Sequence, residues 1–334
     1  MSKKKNIVVI GGGTGTYTVL VGLKKYPVDL TAIVSMADDG GSNRVMRDGF
    51  GLLPTSDIRQ CLVALAEKSD NPGRLLRDLF MYRFHKVKGI KGMTFGNLFI
   101  AALTDILGSQ EEAIKKTSEI LRIKGRVLPV TLDDSRLMAE YENGEKVIGE
   151  HLIDEPKPQH DGNLRIKNIS LSPKAKVYRE ARDAILKADM IVIGPGDLYT
   201  SLIANFVVDG VAEALEQAKA AGAKVVYVLN LMTRWGQTHT FTAKDHIGVL
   251  EEYIGANTLD VVLVNSSPLP TNILKKYAVE KSYPVSDNLR KKHFRIIRSD
   301  LLDGKEVKKS PGDTLQRSYI HHDSNKLAKV LSKL

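Results

Sequence analysis

The chain has 334 residues, of which 43% are hydrophobic and 26% charged, which is typical of a folded globular protein and excludes a disordered or fibrous one. Its single cysteine, Cys61, excludes a disulfide framework and a cysteine-based zinc site. The net charge of +10 is compatible with an anionic small ligand, a nucleic acid or only a basic solvated surface.

The amino-terminal segment carries no recognisable targeting signal. Its apolar run, residues 7–10, is far too short for the core of a signal peptide. No stretch of the sequence approaches the roughly 20 apolar residues that a membrane-spanning helix needs. We therefore expect a cytoplasmic protein that does not span a membrane.

The first predicted elements are a strand, a glycine-rich turn and a helix. Residues 7–10 are a β-branched run typical of a strand buried on both faces, and a helical pattern begins after the glycines that follow. Residues 30–36 are predicted to form a second buried strand. Strands that alternate with helices in this way predict a parallel sheet with right-handed crossovers.

Helical patterns follow the second strand at residues 56–68, 72–84, 96–107 and 110–122. Between residues 126 and 171 the pattern changes. Asn143-Gly144 is a hairpin turn signal, and further loops are marked by Pro156, Pro158 and Asp161-Gly162. We interpret this segment as a small antiparallel β-hairpin insertion and not as a separate domain.

The alternation of strands and helices then resumes. Buried strands are predicted at residues 190–193, 225–228, 261–264 and 294–297, and a final helix at about 325–334. The fold class we expect is α/β: a Rossmann-like open, mainly parallel sheet with helices on both faces and the small hairpin insertion. We expect residues 1–334 to form a single domain.

Loops that directly follow strands line the ligand-binding edge of an open parallel sheet. The first such loop holds Gly11, Gly12, Gly13, Thr14, Gly15 and Thr16. Glycines let a phosphate approach the backbone closely, and the next helix offers free N–H groups. However, Thr16 stands where the dinucleotide fingerprint needs a glycine, and the lysine of a Walker A loop is absent. The loop therefore favours phosphate binding but not NAD in particular, and a tight turn without a ligand is the alternative.

The second loop carries two adjacent carboxylates, Asp38 and Asp39, followed by Ser42. Such carboxylates can hold the hydroxyl groups of a sugar, or Mg²⁺ together with substrate phosphates. A helix cap with a turn is the alternative. Asp57 and Asn97 each lie at the start of a predicted helix, and we expect both to face the same cleft.

Two later loops repeat this chemistry. The loop after the strand at residues 190–193 holds Gly194, Gly196, Asp197, Tyr199 and Thr200. The loop after the next strand carries Asn230, Thr233 and Arg234, which are suited to a base, a sugar or a phosphate. Trp235 follows them, and it either anchors the loop or stacks on a ligand.

The remaining polar side chains have simpler explanations. Cys61 is predicted to pack in the core. His321-His322-Asp323 could bind a metal, but a solvated terminus is the favoured interpretation. The basic runs at residues 3–5 and 290–292 are expected to be solvated surface. The cations expected beside a phosphorylated ligand are Arg44, Arg59 and Arg234.

Six ordered motifs together resemble one family. They are Gly-Gly-Gly-Thr-Gly at 11–15, Asp-Asp-Gly-Gly-Ser at 38–42, Asp-Ile-Arg-x-Cys-Leu-Val-Ala-Leu-Ala at 57–66, Gly-Asn-Leu at 96–98, Gly-Pro-Gly-x-Leu-Tyr-Thr-Ser at 194–201 and Asn-Leu-Met-Thr at 230–233. This set resembles the CofD-like superfamily of 2-phospho-L-lactate transferases, and more closely its YvcK branch, the gluconeogenesis factors of bacteria. The resemblance spans nearly the whole chain.

The resemblance implies a Rossmann-like fold that binds a nucleotide or a nucleotide sugar. In the transferase branch, a phosphate-linked group moves from a guanylyl-activated donor to a deazaflavin acceptor, with Mg²⁺. In the YvcK branch the implied role is regulatory: binding of UDP-N-acetylglucosamine and UDP-glucose, and support of cell shape, wall synthesis and growth on gluconeogenic carbon sources. Tyr277 resembles a tyrosine that is implicated in nucleotide-sugar binding in that branch.

The sequence departs from the branch pattern at three places that matter for a site. Asn43 follows the second loop where the branch has a serine or threonine. Arg234-Trp235 stand in a loop that has lost a carboxylate of the branch pattern and gained a cation, which fits anion binding. His321 stands where the branch has an arginine, and a neutral imidazole does not replace a bidentate guanidinium on a phosphate.

The preferred function is a cytoplasmic regulator that binds a nucleotide sugar without turnover. The alternative is a Mg²⁺-dependent transferase of the CofD type, in which Asp38 and Asp39 hold the metal. The glycine spacing disfavours an NAD-dependent oxidoreductase, and the lack of a basic stripe interleaved with aromatic residues disfavours a nucleic-acid binder. The expected partner is therefore a small nucleotide sugar, and a homodimer is left open.

Overall fold

The computed structural model describes residues 4–67, 71–86, 89–157, 159–290, 293–307 and 318–334. The loop assigned to Pro158 and the surface positions assigned to Lys3, Lys291 and Lys292 therefore lie outside the described residues. Within the described part, Lys4 and Arg290 are exposed, as expected for solvated cations, whereas Lys5 is half-buried and does not fit that expectation.

The strands follow the predicted order closely. In chain order they are β1 (Lys5–Gly11), β2 (Val28–Val34), β3 (Arg126–Pro129), β4 (Arg136–Tyr141), β5 (Lys146–Ile148), β6 (Ile166–Ser172), β7 (Met190–Ile193), β8 (Lys224–Val228), β9 (Val261–Asn265) and β10 (Arg295–Ser299). Seven of them form one parallel sheet in the order β10-β9-β8-β7-β1-β2-β3. The predicted α/β fold class is confirmed.

Strand β1 is an interior strand of the main sheet. It pairs with β2 on one side and with β7 on the other, so that Ile7 lies beside Leu30 and Met190. Its residues from Ile7 to Gly11 are all buried, because helices cover both faces of a parallel sheet. The strand order reverses between β1 and β7, and such a reversal is where ligands bind in open sheets of this type.

A second sheet of three antiparallel strands, in the order β5-β4-β6, forms the insertion. The prediction that the insertion begins at about residue 126 was wrong, because Arg126–Pro129 is β3 and pairs in parallel with β2. The antiparallel part starts at Arg136 and ends at Ser172. Four residues are too few for the sequence pattern to separate a buried parallel strand from a following hairpin.

The helices fill the connections between the strands. They are α1 (Thr14–Leu23), α2 (Gly41–Phe50), α3 (Ser56–Leu65), α4 (Asn71–Met81), α5 (Phe95–Leu107), α6 (Gln110–Ile120), α7 (Glu150–Asp154), α8 (Arg179–Leu186), α9 (Ala204–Phe206), α10 (Val211–Ala220), α11 (Ala243–Ile254), α12 (Thr271–Val279) and α13 (Ser324–Leu331). A π-helix, Leu198–Ile203, leads directly into α9.

Helix α2 was not predicted from the sequence. It begins at Gly41 directly after the second loop and ends at Phe50, where the left-handed backbone of Gly51 (φ 65°) terminates it. Its Asn43 is 1% exposed, and the Asn43 Oδ1 accepts hydrogen bonds from the backbone N–H groups of Thr55 and Ser56 at 3.2 Å each. The Asn43 side chain, which departs from the branch pattern, therefore fixes the start of α3.

The core lies between the main sheet and its flanking helices. Cys61 is fully buried in it, as predicted, and burial raises the pKa of its thiol well above the usual range. Within the described part of the chain, no helix combines the length and the apolar character that a bilayer crossing requires.

Candidate functional site

A cleft with a volume of about 410 Å³ lies at the carboxyl ends of the main-sheet strands. Its walls come from the loops after β1, β2, β7 and β8, which are the four loops singled out in the sequence. Parts of α7, α12 and the carboxyl-terminal segment close it. The cleft therefore lies where the strand order reverses between β1 and β7, which is where a ligand-binding cavity is expected in an open parallel sheet.

Most of the predicted site residues line this cleft. They are Gly12, Gly13, Thr14, Gly15, Asp38, Ser42, Asp57, Gly196, Asp197, Thr200, Asn230, Thr233 and Tyr277. The others are not among the lining residues: Gly11, Thr16, Asp39, Asn97, Gly194 and Tyr199. Of the predicted cations, Arg59 and Arg234 line the cleft, whereas Arg44 is exposed outside it.

Close contacts within the protein explain why glycines occupy the first loop, independently of any ligand. A Cβ atom on Gly15 would overlap the backbone carbonyl oxygen of Pro195, so the first and third loops pack backbone against backbone. A Cβ on Gly13 would overlap the carboxylate of Asp57 and the amide of Gln60. The carboxylate of Asp57 therefore lies against the start of α1, where negative charge is favourable.

The two adjacent carboxylates of the second loop are separated by the fold. Asp38 faces the cleft, and its Oδ1 accepts a hydrogen bond from the Gly40 backbone N–H at 2.9 Å. Asp39 is 7% exposed and faces the insertion, where its carboxylate accepts from Arg136 Nη1 at 3.1 Å and from the His151 backbone N–H at 2.8 Å. The predicted Asp38–Asp39 pair does not converge on one Mg²⁺ position.

The described residues also contain no group of three histidine, cysteine, aspartate or glutamate side chains arranged to hold a metal ion. Asp38 and Asp57 line the cleft, whereas the carboxylate of Asp39 is directed to Arg136 and the His151 N–H. A Mg²⁺ ion also takes oxygen ligands from phosphates and water. The donor set therefore does not fit the metal site predicted from the sequence.

Replacing Asp39 with alanine is expected to destabilise the protein by about 1–3 kcal/mol, because it leaves the His151 backbone N–H without its acceptor and removes one of the two carboxylates that pair with Arg136. Urea denaturation gives the change in the free energy of unfolding. The matched control is Asp29→Ala, which breaks an exposed 3.8 Å ion pair with Lys4 and should cost less than about 1 kcal/mol. Equal losses in the two variants would contradict the structural role of Asp39.

Asn97 supports the cleft from below. It is fully buried, and its Oδ1 accepts from Arg59 Nε at 3.0 Å while its Nδ2 donates to the hydroxyl oxygens of Ser42 and Ser56, both at 3.0 Å. The two serines line the cleft and Asn97 does not. We conclude that Asn97 orients the serine hydroxyls and the Arg59 guanidinium toward the cavity.

The third and fourth loops are joined by side-chain to backbone hydrogen bonds. Asn230 Nδ2 donates to the Gly196 carbonyl oxygen at 2.7 Å. Thr233 exchanges two bonds with Tyr283: its backbone N–H donates to the Tyr283 carbonyl at 2.7 Å, and its Oγ1 accepts from the Tyr283 N–H at 2.9 Å. The Asn230 bond therefore joins the loop after β7 to the loop after β8, and the Thr233 bonds fix the loop after β8 to the segment that follows α12.

Tyr277, on α12, closes the far end of the cleft. It is 6% exposed, and its hydroxyl oxygen accepts a hydrogen bond from the Tyr319 backbone N–H at 2.9 Å. Burial raises the pKa of its phenol, so the hydroxyl group stays protonated at neutral pH. The tyrosine implicated by the resemblance thus lies in the cleft, as a neutral group.

Helix α7 of the insertion brings two carboxylates into the cleft. Burial, with the nearby carboxylates of Asp38 and Asp154, raises the pKa of Glu150 well above its usual range. Burial also raises the pKa of Asp154 to about 6, although Arg234 opposes the shift. Arg234 Nη2 donates to Asp154 Oδ2 at 2.7 Å, and Gln237 Nε2 donates to Asp154 Oδ1 at 3.0 Å.

The cleft is acidic although the chain as a whole is basic. Its described lining includes the carboxylates of Asp38, Asp57, Glu150, Asp154, Glu155, Asp197 and Glu280. The guanidinium groups of the described lining are those of Arg59, Arg83 and Arg234. The positive net charge of the chain therefore lies elsewhere. The pKa values of Glu150 and Asp154 are raised mainly by burial, and neighbouring carboxylates add to both shifts.

The acids of α7 and the side chain of His322 were not predicted as site residues, whereas His321 was noted as a departure from the branch pattern. The acids of α7 lie in the insertion, where the pattern showed only a loop between short strands. His321 and His322 line the cleft, and His322 is only 5% exposed, so the prediction of a solvated terminus was wrong. Trp235 does not line the cleft: it packs against Gly162, with its ring centroid 4.9 Å from that of His239, and so anchors its loop.

Comparisons with known proteins agree with this architecture. The family model described as 2-phospho-L-lactate transferase CofD matches residues 7–302. The gluconeogenesis factor of Bacillus subtilis (strain 168) is 38% identical over 338 residues, covering 100% of this chain and 99% of its own. That of Halalkalibacterium halodurans is 43% identical over 284 residues, covering 85% of this chain and 84% of its own. A crystal structure of a Bacillus halodurans protein matches with a TM-score of 0.86 and 37% identity, over 99% of this chain and 100% of that one.

Proposed function

The chain belongs to the CofD family, as its motifs predicted, and from that membership we propose that it is a nucleotide-sugar-binding regulatory protein of the gluconeogenesis-factor type. Its ligand in this proposal is UDP-N-acetylglucosamine, UDP-glucose or a closely similar nucleotide sugar. Relatives with similarity over most of the chain carry the name gluconeogenesis factor.

The observation that carries the proposal is the polar lining of the cleft. Hydroxyl and amide side chains come from every loop around it: Thr14, Ser42, Ser56, Gln60, Thr200, Ser201, Asn230 and Thr233. Such groups hydrogen-bond to the many hydroxyls of a ribose and a hexose. The volume of about 410 Å³ is within the range of small-ligand pockets.

The cellular role that we propose follows the gluconeogenesis-factor branch. The protein would act in the cytoplasm, sense a nucleotide sugar, and support cell shape, wall synthesis and growth on gluconeogenic carbon sources. Ligand binding without turnover is consistent with the separation of Asp38 from Asp39, because one of the two carboxylates is committed to Arg136.

A Mg²⁺-dependent transferase is the second candidate, favoured by the name of the matching family model. Incubation with nucleotide-activated donors and acceptors, with and without Mg²⁺, separates the two functions. Under the binding proposal no product forms in either condition. A metal-dependent product that disappears in Asp38→Asn would establish turnover instead.

Ligand binding is expected to raise the melting temperature. A UDP-sugar at 100 times its Kd stabilises the folded state by about 2.7 kcal/mol, which gives a clear shift by differential scanning fluorimetry. NAD at the same concentration is the control and should produce no shift. Native mass spectrometry of the purified protein should also detect a co-purified UDP-sugar. A shift with NAD alone would contradict the proposal.

A further inference from the structure

Three buried polar atoms of the cleft lining lack a hydrogen-bond partner among the described residues: Thr200 Oγ1, Asn230 Oδ1 and His322 Nε2. Leaving a buried polar group unpaired costs about 1–3 kcal/mol. His322 and Thr200 are 5% and 4% exposed, so bulk water does not readily satisfy them. Unpaired atoms on side chains that line one cavity indicate groups that a ligand completes.

The hydrogen-bonding role of His322 follows from its neighbour. Its imidazole is hydrogen-bonded to the Leu229 backbone, and that bond favours the protonated ring, so the ring donates. The Leu229 N–H already donates to the Leu263 carbonyl at 3.0 Å, which leaves the Leu229 carbonyl oxygen as the acceptor. Because Nε2 has no partner, the donating atom is Nδ1.

The imidazole is neutral at physiological pH. Burial, together with the nearby His321, lowers the pKa of His322 to about 4. A neutral ring whose proton is on Nδ1 presents a lone pair at Nε2. The unpaired atom of His322 is therefore a hydrogen-bond acceptor.

Asn230 provides a second acceptor in the lining of the same cleft. Its Nδ2 donates to the Gly196 carbonyl oxygen at 2.7 Å, which assigns the amide orientation and leaves Oδ1 as the unpaired atom. Asn230 follows Leu229 directly in the chain, so the two acceptors lie at the same carboxyl edge of β8.

We propose that His322 Nε2 and Asn230 Oδ1 form an acceptor subsite that binds hydrogen-bond donors of the ligand and excludes phosphate oxygens. This inference rests on the proposed function for the identity of the whole ligand. The donors that fit are hydroxyl groups of a sugar or an N–H of a base. Ionised phosphate oxygens only accept, so the diphosphate lies elsewhere in the cleft.

Ligand analogues and matched variants test the subsite. His322→Met removes the acceptor at similar size, whereas His322→Gln can donate to the Leu229 carbonyl and still present an oxygen. Calorimetry should show that His322→Met weakens UDP-glucose binding roughly tenfold or more, while His322→Gln stays within about threefold of the wild type.

Analogues of UDP-glucose identify which group of the ligand donates a hydrogen bond to the acceptor subsite. UDP-glucose derivatives lacking one ribose or one hexose hydroxyl, and a derivative methylated at uracil N3, should include one that binds the wild type about tenfold more weakly. His322→Met should not discriminate against that derivative. Equal affinity of wild type and His322→Met for every ligand would overturn the subsite. So would a loss in His322→Met that persists with pyrophosphate alone.

A measurement without ligand distinguishes this inference from the proposed function. Long-range ¹H–¹⁵N spectra of the uniformly labelled protein at neutral pH report which imidazole nitrogen carries the proton, and the signal missing in His322→Gln assigns His322. We expect the proton on Nδ1. A proton on Nε2 would overturn the acceptor subsite even if UDP-sugars bind. Failure of the wild type to bind any UDP-sugar, with the proton on Nδ1, would refute only the proposed ligand.

Discussion

Replacing Gly15 with alanine is expected to destabilise the protein by about 3 kcal/mol and to weaken nucleotide-sugar binding at least about tenfold. The added Cβ overlaps the backbone carbonyl oxygen of Pro195, which cannot rotate away as a side chain does. The first and third loops must then separate, and both contribute to the cleft lining. The gain in helix propensity from glycine to alanine is smaller than this loss.

Gly248→Ala is the matched control for this variant. Gly248 is exposed on α11, and a Cβ there would meet no atom within 4 Å. Alanine should therefore stabilise the protein by up to about 1 kcal/mol through helix propensity alone. Chemical denaturation and calorimetric titration measure both variants. A Gly15→Ala protein with wild-type stability would show that the two loops do not pack as described.

Neutralising Glu150 is expected to have the opposite effect. Glu150→Gln should raise the melting temperature at pH about 7.5, because it removes a carboxylate whose ionisation is opposed by burial and by the acids around it. It should also tighten the binding of an anionic nucleotide sugar roughly threefold to tenfold, which corresponds to about 0.7–1.4 kcal/mol. In many natural proteins, groups in a binding site likewise lower the stability of the folded state.

The acidic cleft also predicts a pH dependence in the wild type. The pKa of Asp154 is raised to about 6, so the folded state binds more protons than the unfolded state as pH approaches that value from below. The stability that this group contributes is therefore greatest at low pH and is lost as pH rises through about 6. Nucleotide-sugar affinity should increase as pH falls from about 8 to about 5.5, because protonation reduces the repulsion of the diphosphate.

Glu216→Gln separates this local effect from the overall charge. Glu216 is exposed on α10 and does not line the cleft. Glu216→Gln removes one carboxyl group, as Glu150→Gln does. It should nevertheless leave the melting temperature and the affinity within experimental error of the wild-type values. The interpretation fails if Glu216→Gln tightens binding as much as Glu150→Gln does.

The fold could be predicted best where a sequence pattern is compatible with only one kind of secondary structure. Residues 7–10 carry four β-branched side chains in a row, and β1 is indeed buried on both faces. Helix α2 was missed because Gly40, Gly41 and Asn43 are typical of a turn. Its helical conformation is fixed by a distant contact, since Asn43 Oδ1 accepts from the start of α3.

The site could be predicted at the level of loops but not of individual atoms. Asp38 and Asp39 are chemically equivalent in the sequence, yet one faces the cleft and the other Arg136, which lies in a different sheet. His322 looked like part of a polar terminus because its burial depends on packing against Leu229, far away in the chain. Such long-range contacts leave no local sequence pattern.

The pairing of β1 with β7 has a consequence for synthesis of the protein on the ribosome. The Asn6 N–H donates to Asp189 at 2.7 Å across 183 positions of sequence, so one edge of β1 stays uncovered until more than half of the chain has emerged. The ligand cannot assist folding before that point, because half of its cleft does not yet exist. Chains that terminate before Met190 would expose an unprotected, apolar strand edge and are expected to aggregate.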